Sequence, residues 1–132
     1  MEILVTIHSV WRYVVLVTAI GALALAAMAF LGSRQWDPLT DRLSLFFTIA
    51  MDVQVVVGLL VWITAAADVR NDTFLNVVHP IVMIVAVGLA HVGRVRSDRA
   101  AGSRDKGSMA TLFFGGSLLL ILLAIPLASW PI

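Results

Sequence analysis

Val14-Val15-Leu16-Val17-Thr18-Ala19-Ile20-Gly21-Ala22-Leu23-Ala24-Leu25-Ala26-Ala27-Met28-Ala29-Phe30-Leu31 is an apolar run interrupted by a single hydroxyl, that of Thr18. No soluble helix needs eighteen residues without a polar face, so this stretch is matched to lipid rather than water. It is the inner part of a block that starts at about Ile3. Three further apolar blocks follow, Leu43 to Ala67, about Phe74 to Val95, and Met109 to about Trp130. Each is long enough to cross a hydrocarbon layer of about 30 Å at about 1.5 Å per residue. Spanning strands are excluded, because the blocks are too long and lack the alternation of a membrane barrel. The expectation is an all-α integral membrane protein, an antiparallel four-helix bundle forming a single domain over residues 1–132.

Composition agrees. Hydrophobic residues make up 61% of the chain and charged residues 13%, whereas a soluble domain carries about 25% charge. There is no cysteine, which removes disulfides, thiolate metal sites, iron–sulfur clusters and covalently attached haem. No phosphate-binding loop, nucleophile triad or zinc-protease pattern is present, and whether the protein is an enzyme stays open.

The connections are short. Gly32 to Arg42 contains the turn signal Asp37-Pro38, Asp68 to Thr73 ends in the helix-capping cluster Asn71-Asp72-Thr73, and Arg96 to Ser108 is polar. Arg34, Arg42, Arg94, Arg96, Arg99, Arg104 and Lys106 fall on the side of the first and third loops, against Arg70 on the other. The positive-inside rule then predicts those loops in the cytoplasm and both termini outside. Trp11, Trp62 and Trp130 are expected near the outer interface and Trp36 near the inner one. The first block is expected to be a retained helix rather than a cleaved signal, since Glu2 is its one early charge and it is too long. Beside a membrane, the basic third loop reads as a topology signal or a contact for anionic lipid, not for nucleic acid. Gly21, Ala22, Ala26, Gly58, Gly88, Gly115 and Gly116 offer places for close helix contact.

Ionisable residues inside the apolar blocks are costly and tend to face the bundle interior. His8, Arg12, Asp52, His79 and His91 are of this kind, with Gln54 as a polar neighbour. Counting from the outer helix ends places His8 and His79 at a shared depth of roughly 6–8 Å. Two histidines at one level on different helices suit the axial positions of a haem b. Arg12, one turn below His8, suits a propionate. The alternative stays open: His8 as an interfacial residue wet by water, and His79 as the residue before a helix-breaking Pro80 that frees the carbonyl of Asn76. Asp52 and His91 lie deeper, roughly 22 and 25 Å from the outer side, as an inner-half polar pair that either relays protons or fixes helix register. Gln54 aligns with Gly58 and is expected to make a helix–helix hydrogen bond.

The string His8-Ser9-Val10-Trp11-Arg12-Tyr13 resembles the opening of a little-characterised family of small bacterial four-helix membrane proteins often labelled cytochrome b or b-like. The likeness continues through Asp52-Val53-Gln54, Gly58-Leu59, His79 and Met83, Gly93-Arg94, Ile125-Pro126 and Trp130-Pro131. The resemblance implies non-covalent haem b and electron transfer, with His8 and His79 as the matching histidines. Asp52 stands where a histidine is expected in many such proteins. The expectation is therefore a small haem b electron-transfer protein, with His8 and His79 on the iron and Arg12 supporting a propionate. The rival expectation is a cofactor-free accessory subunit that stabilises a larger respiratory or photosynthetic membrane complex. A quinone or proton site around Asp52 and His91 is a third.

Overall fold

The computed structural model describes residues 2–64 and 71–126. Four long helices run in alternating directions, α1 (Glu2–Leu31), α2 (Pro38–Thr64), α3 (His79–Arg99) and α4 (Ser103–Ala124), with a π-helical turn Phe74–Val78 leading into α3. All four spans are long and apolar enough to cross a membrane, and together they make an all-α, multi-pass membrane bundle. α1 packs against α2 and α4, and α3 lies closely on α4 and more loosely on α2.

The core is a set of narrow stripes. On α1 the buried positions are Arg12, Val15, Ala19, Ala22, Ala26 and Ala29, and on α4 they are Gly107, Ala110, Phe114, Ser117, Ile121 and Ala124. Both run at alternating steps of three and four residues, the spacing that keeps one seam facing its partner in a left-handed bundle. Since lipid is as apolar as leucine, close packing of small residues rather than apolar burial holds such helices together. The tightest point is Gly107, where a β-carbon would lie 2.5 Å from the Phe30 amide nitrogen and 2.6 Å from the Ala26 carbonyl oxygen. Gly93 is next, against the β-carbon of Phe113 and the ring of Phe114. Gly88, expected at a contact, has nothing within 4 Å of that position. The sequence pattern marked small residues but not which way each one faces.

Two helices begin earlier than the hydropathy blocks. α2 starts at Pro38, not Leu43, because Asp37 Oδ1 accepts both the backbone N–H of Thr40 (2.9 Å) and its hydroxyl (2.7 Å), with proline at the first helical position. α4 starts at Ser103, not Met109, after Gly102 turns the chain with φ of 86°. α3 runs on past Val95 to Arg99. α4 does not continue as one helix to Trp130: Ile125 is extended (φ −81°, ψ 120°), the conformation that a following proline imposes. Arg70, Trp130, Pro131 and the expected helix end at Ala67 lie outside the described residues.

The two connections rich in arginine meet at one end, the basic end. The backbone N–H of Trp36 donates to Ser103 Oγ (2.9 Å), and Ser103 donates in turn to Gln35 Oε1 (2.8 Å). Arg94 crosses from α3 to α2, donating to Asp41 Oδ1 (2.8 Å), the Asp41 carbonyl (3.1 Å) and Ser44 Oγ (3.0 Å). Lys106 caps α3 by donating to the carbonyl of Ser97 at 2.9 Å.

Candidate functional site

Toward the opposite end, where the N-terminus and the α2–α3 connection lie, the helices part around a cavity of about 480 Å³ lined by all four of them. That volume falls in the range of about 300–1,000 Å³ typical of small-molecule and cofactor pockets. Its walls are mostly apolar, with His8, Arg12, Gln54 and His79 as the polar groups that converge on it, and Met83 and Trp62 beside them.

Both histidines are positioned by identifiable local causes. Pro80 lacks an N–H, so the Asn76 carbonyl four residues back loses its helical donor. The indole of Trp62 supplies it, donating to the Asn76 carbonyl and to Asn76 Oδ1, each at 3.0 Å. The turn before Pro80 widens to π geometry, with the His79 N–H donating to the Phe74 carbonyl. At the far wall, the break at Ile125-Pro126 leaves the last carbonyls of α4 without helical partners. His79 Nδ1 takes one, donating to the Ala124 carbonyl at 2.7 Å. A carbonyl only accepts, so Nδ1 carries the proton and Nε2 keeps its lone pair.

His8 sits over Gly58. A β-carbon there would come within 2.9 Å of His8 Cε1, so the glycine is the space the imidazole occupies. Gln54, one turn earlier on α2, donates from Nε2 to the His8 carbonyl at 2.8 Å. His8 Nδ1 and Gln54 Oε1 are buried and have no hydrogen-bond partner. Unsatisfied buried polar atoms are uncommon enough to ask for a reason. The two imidazoles lie edge-on to one another, with ring centres 6.1 Å apart and planes at 89°.

Arg12 is 8% exposed, donates from Nε to the Ser9 carbonyl at 3.0 Å, and lies 5.7 Å from the Tyr13 ring centre. Trp11 points elsewhere, donating to the Ala50 carbonyl at 2.9 Å and so tying α1 to α2.

Asp52 and His91 meet at 2.6 Å between Oδ1 and Nε2, across the looser α2–α3 seam and outside the cavity. Both side chains are about half exposed, 49% and 50%. They do not join the His8–His79 pair, and among the described residues no group of three or more metal-ligating side chains forms.

Sequence reasoning missed the Ala124 carbonyl and the role of Trp62. Both are side-chain answers to a proline, and Pro80 and Pro126 were the available signal. It also missed Ser44, a small hydroxyl inside the second apolar block, and Asp41 and Ser103, which looked like loop residues because their helices begin before the apolar blocks do.

Fold and cavity together define a multi-pass α-helical membrane protein with a close pair of histidines in a cavity between its helices. Compared with known proteins, no family model matches the chain, no curated protein matches it, and no solved structure matches it.

Proposed function

We propose that this chain is a small haem b membrane protein that passes electrons, with His8 and His79 as the residues that would hold the iron. The observation that carries the reading is the close pair of imidazoles in the cavity. Two imidazoles bonded to one metal from opposite sides at about 2 Å each have ring centres roughly 6 Å apart, and those of His8 and His79 are 6.1 Å apart. The donor chemistry fits as well. His79 has the proton on Nδ1 held by a carbonyl, the usual outer hydrogen bond of a ligating histidine. His8 brings a second imidazole to the lining of the same cavity. Arg12, nearly buried at the cavity wall, supplies a cation for a propionate. When bound, haem supplies reversible one-electron chemistry. The chain itself excludes water with an apolar wall, orients the imidazole of His79 through Ala124, and makes room for that of His8 at Gly58.

The proposal includes an orientation. The basic end, with Arg34, Arg96, Arg99 and Arg104 around it, faces the cytoplasm of a bacterial inner membrane, and the cavity opens toward the outer side with both termini.

The experiment is an optical spectrum of the purified protein with haemin added in detergent, before and after dithionite. A Soret band that sharpens and shifts on reduction is expected, and His8→Ala or His79→Ala should each abolish the six-coordinate reduced spectrum while leaving helical circular dichroism in place. No Soret band above that of free haemin, or an unchanged spectrum in both variants, removes the proposal and favours the cofactor-free accessory subunit. A reporter fused to the N-terminus tests the orientation independently.

A further inference from the structure

We propose that the α2–α3 seam is the contact surface for a second copy of this chain, centred on the Asp52–His91 pair. The inference does not rest on the haem reading, since Asp52, His91, Gly88, Ile49 and Val56 are not among the residues that line the cavity.

Position makes the pair unusual. At about 1.5 Å per residue, Asp52 lies about 21 Å from Pro38 at the basic end of α2, and His91 about 12 Å from Arg99 at the same end of α3, so the pair sits well inside the span. Polar groups at that depth ordinarily face the bundle interior. This pair is instead half exposed on the outside of the bundle. Its internal hydrogen bond uses Asp52 Oδ1 and His91 Nε2. Asp52 Oδ2 and His91 Nδ1 make no hydrogen bond among the described residues, and hydrocarbon offers none.

Shape points the same way. Gly107, Gly93 and Gly58 each admit a neighbour's atoms within the bundle, but Gly88, one turn from His91, is exposed and open. Around it lie exposed apolar side chains, Ile49 and Val56 on α2 and Val92 and Val95 on α3. An outward glycine among flat apolar neighbours lets another helix approach closely in lipid.

Symmetry selects the occupant. Two copies inserted in the same direction are related by a two-fold axis along the membrane normal. Such an axis preserves depth and exchanges left for right. The α2 of one copy then faces the α3 of the other, and each Asp52 meets the other copy's His91 at its own level. A second copy therefore supplies both missing partners at once, the acceptor for the open imidazole edge and the donor for the open carboxylate edge.

The chain has no cysteine, so disulfide mapping is clean. Two differently tagged full-length copies, one Val56→Cys and one Gly88→Cys, are co-expressed and oxidised in the membrane. A disulfide joining the two tags is expected, while a Leu112→Cys copy paired with a Leu119→Cys copy on the exposed face of α4 should give none. In vesicles of phosphatidylethanolamine and phosphatidylglycerol, energy transfer between labelled copies should show the Asp52→Leu/His91→Leu double variant associating at least about tenfold more weakly. Its helical circular dichroism should be unchanged. The exchange Asp52→His/His91→Asp should restore association, because the two-fold axis opposes the same groups. No cross-linked pair of tags, a cross-link to a different protein at these positions, or unchanged association in the double-leucine variant would each overturn the proposal.

Discussion

The two ends of the bundle solve the same problem, holding four helices together without a hydrophobic drive, in opposite ways. At the basic end the backbones touch: Gly107 lets α4 rest on the main chain of α1, and Arg94 threads α3 to Asp41 and Ser44 of α2. Buried hydroxyls near that end bond to close neighbours, Ser97 to the Arg94 carbonyl and Thr40 to Asp37, although Thr111 Oγ1, further along α4, has no partner among the described residues. At the cavity end Pro80 widens a helical turn and Pro126 ends a helix, and side chains of Trp62 and His79 repair the exposed carbonyls around an open space. Tight backbone packing belongs to the part that only has to hold. Looser packing around a cavity belongs to the part that can take something up.

The contrast can be broken by adding one methyl group at each end. Gly107→Ala forces atoms into backbone that cannot yield, so a loss of roughly 3 kcal/mol or more is expected, at the upper end of overpacking penalties, read as a lower midpoint in detergent-denaturation titrations. The companion Gly58→Ala meets the edge of a side chain that borders a cavity. About 1 kcal/mol is expected there, together with weakened haem uptake in the same spectral titration, as His8 is pushed aside. Equal losses at the two glycines would show that the ends do not differ in the way proposed.

Between these lies Arg94→Ala, which removes the donor to the buried Ser44 hydroxyl and leaves the Asp41 carboxylate with the Trp36 indole. Roughly 1–3 kcal/mol is expected, the range for leaving hydrogen-bonding groups unpaired, with the haem spectrum unaltered because the site is at the other end.

The smallest effect sharpens the comparison by pH. The Thr40 amide and hydroxyl, with Arg34 beside them, hold the Asp37 carboxyl down at about 2, below its usual 3.8. The folded value is depressed, so the contribution is complete above about pH 4 and disappears as the pH falls toward 2. A shallow decline in thermal midpoint across that window is expected for the native protein. Asp37→Ala should start lower and lose the part of the slope that Asp37 contributes. An identical slope in both would assign the acid response to other groups.

Much of this was readable in advance, and the residues show where reading stopped. Hydropathy located four spans because lipid demands long apolar segments whatever their neighbours are. It misplaced the starts of α2 and α4, since Asp41, Ser103 and Lys106 are polar enough to pass for loop, yet Asp37 caps α2 ahead of Asp41 and α4 begins directly after the turn at Gly102. The shared level of His8 and His79 followed from counting. That Ala124 would orient one ring and Gly58 house the other did not, because both depend on a helix that is distant in sequence.

Composition and block length alone committed this chain to four membrane-crossing helices, since backbone polar groups in hydrocarbon must be satisfied within each segment. Which glycine meets a backbone and which faces outward, and whether an imidazole is turned toward its counterpart or an Asp–His pair toward lipid, were decided when the helices packed. Rotation about a helix axis leaves the hydropathy of a uniformly apolar segment unchanged, so only contact between helices can set it.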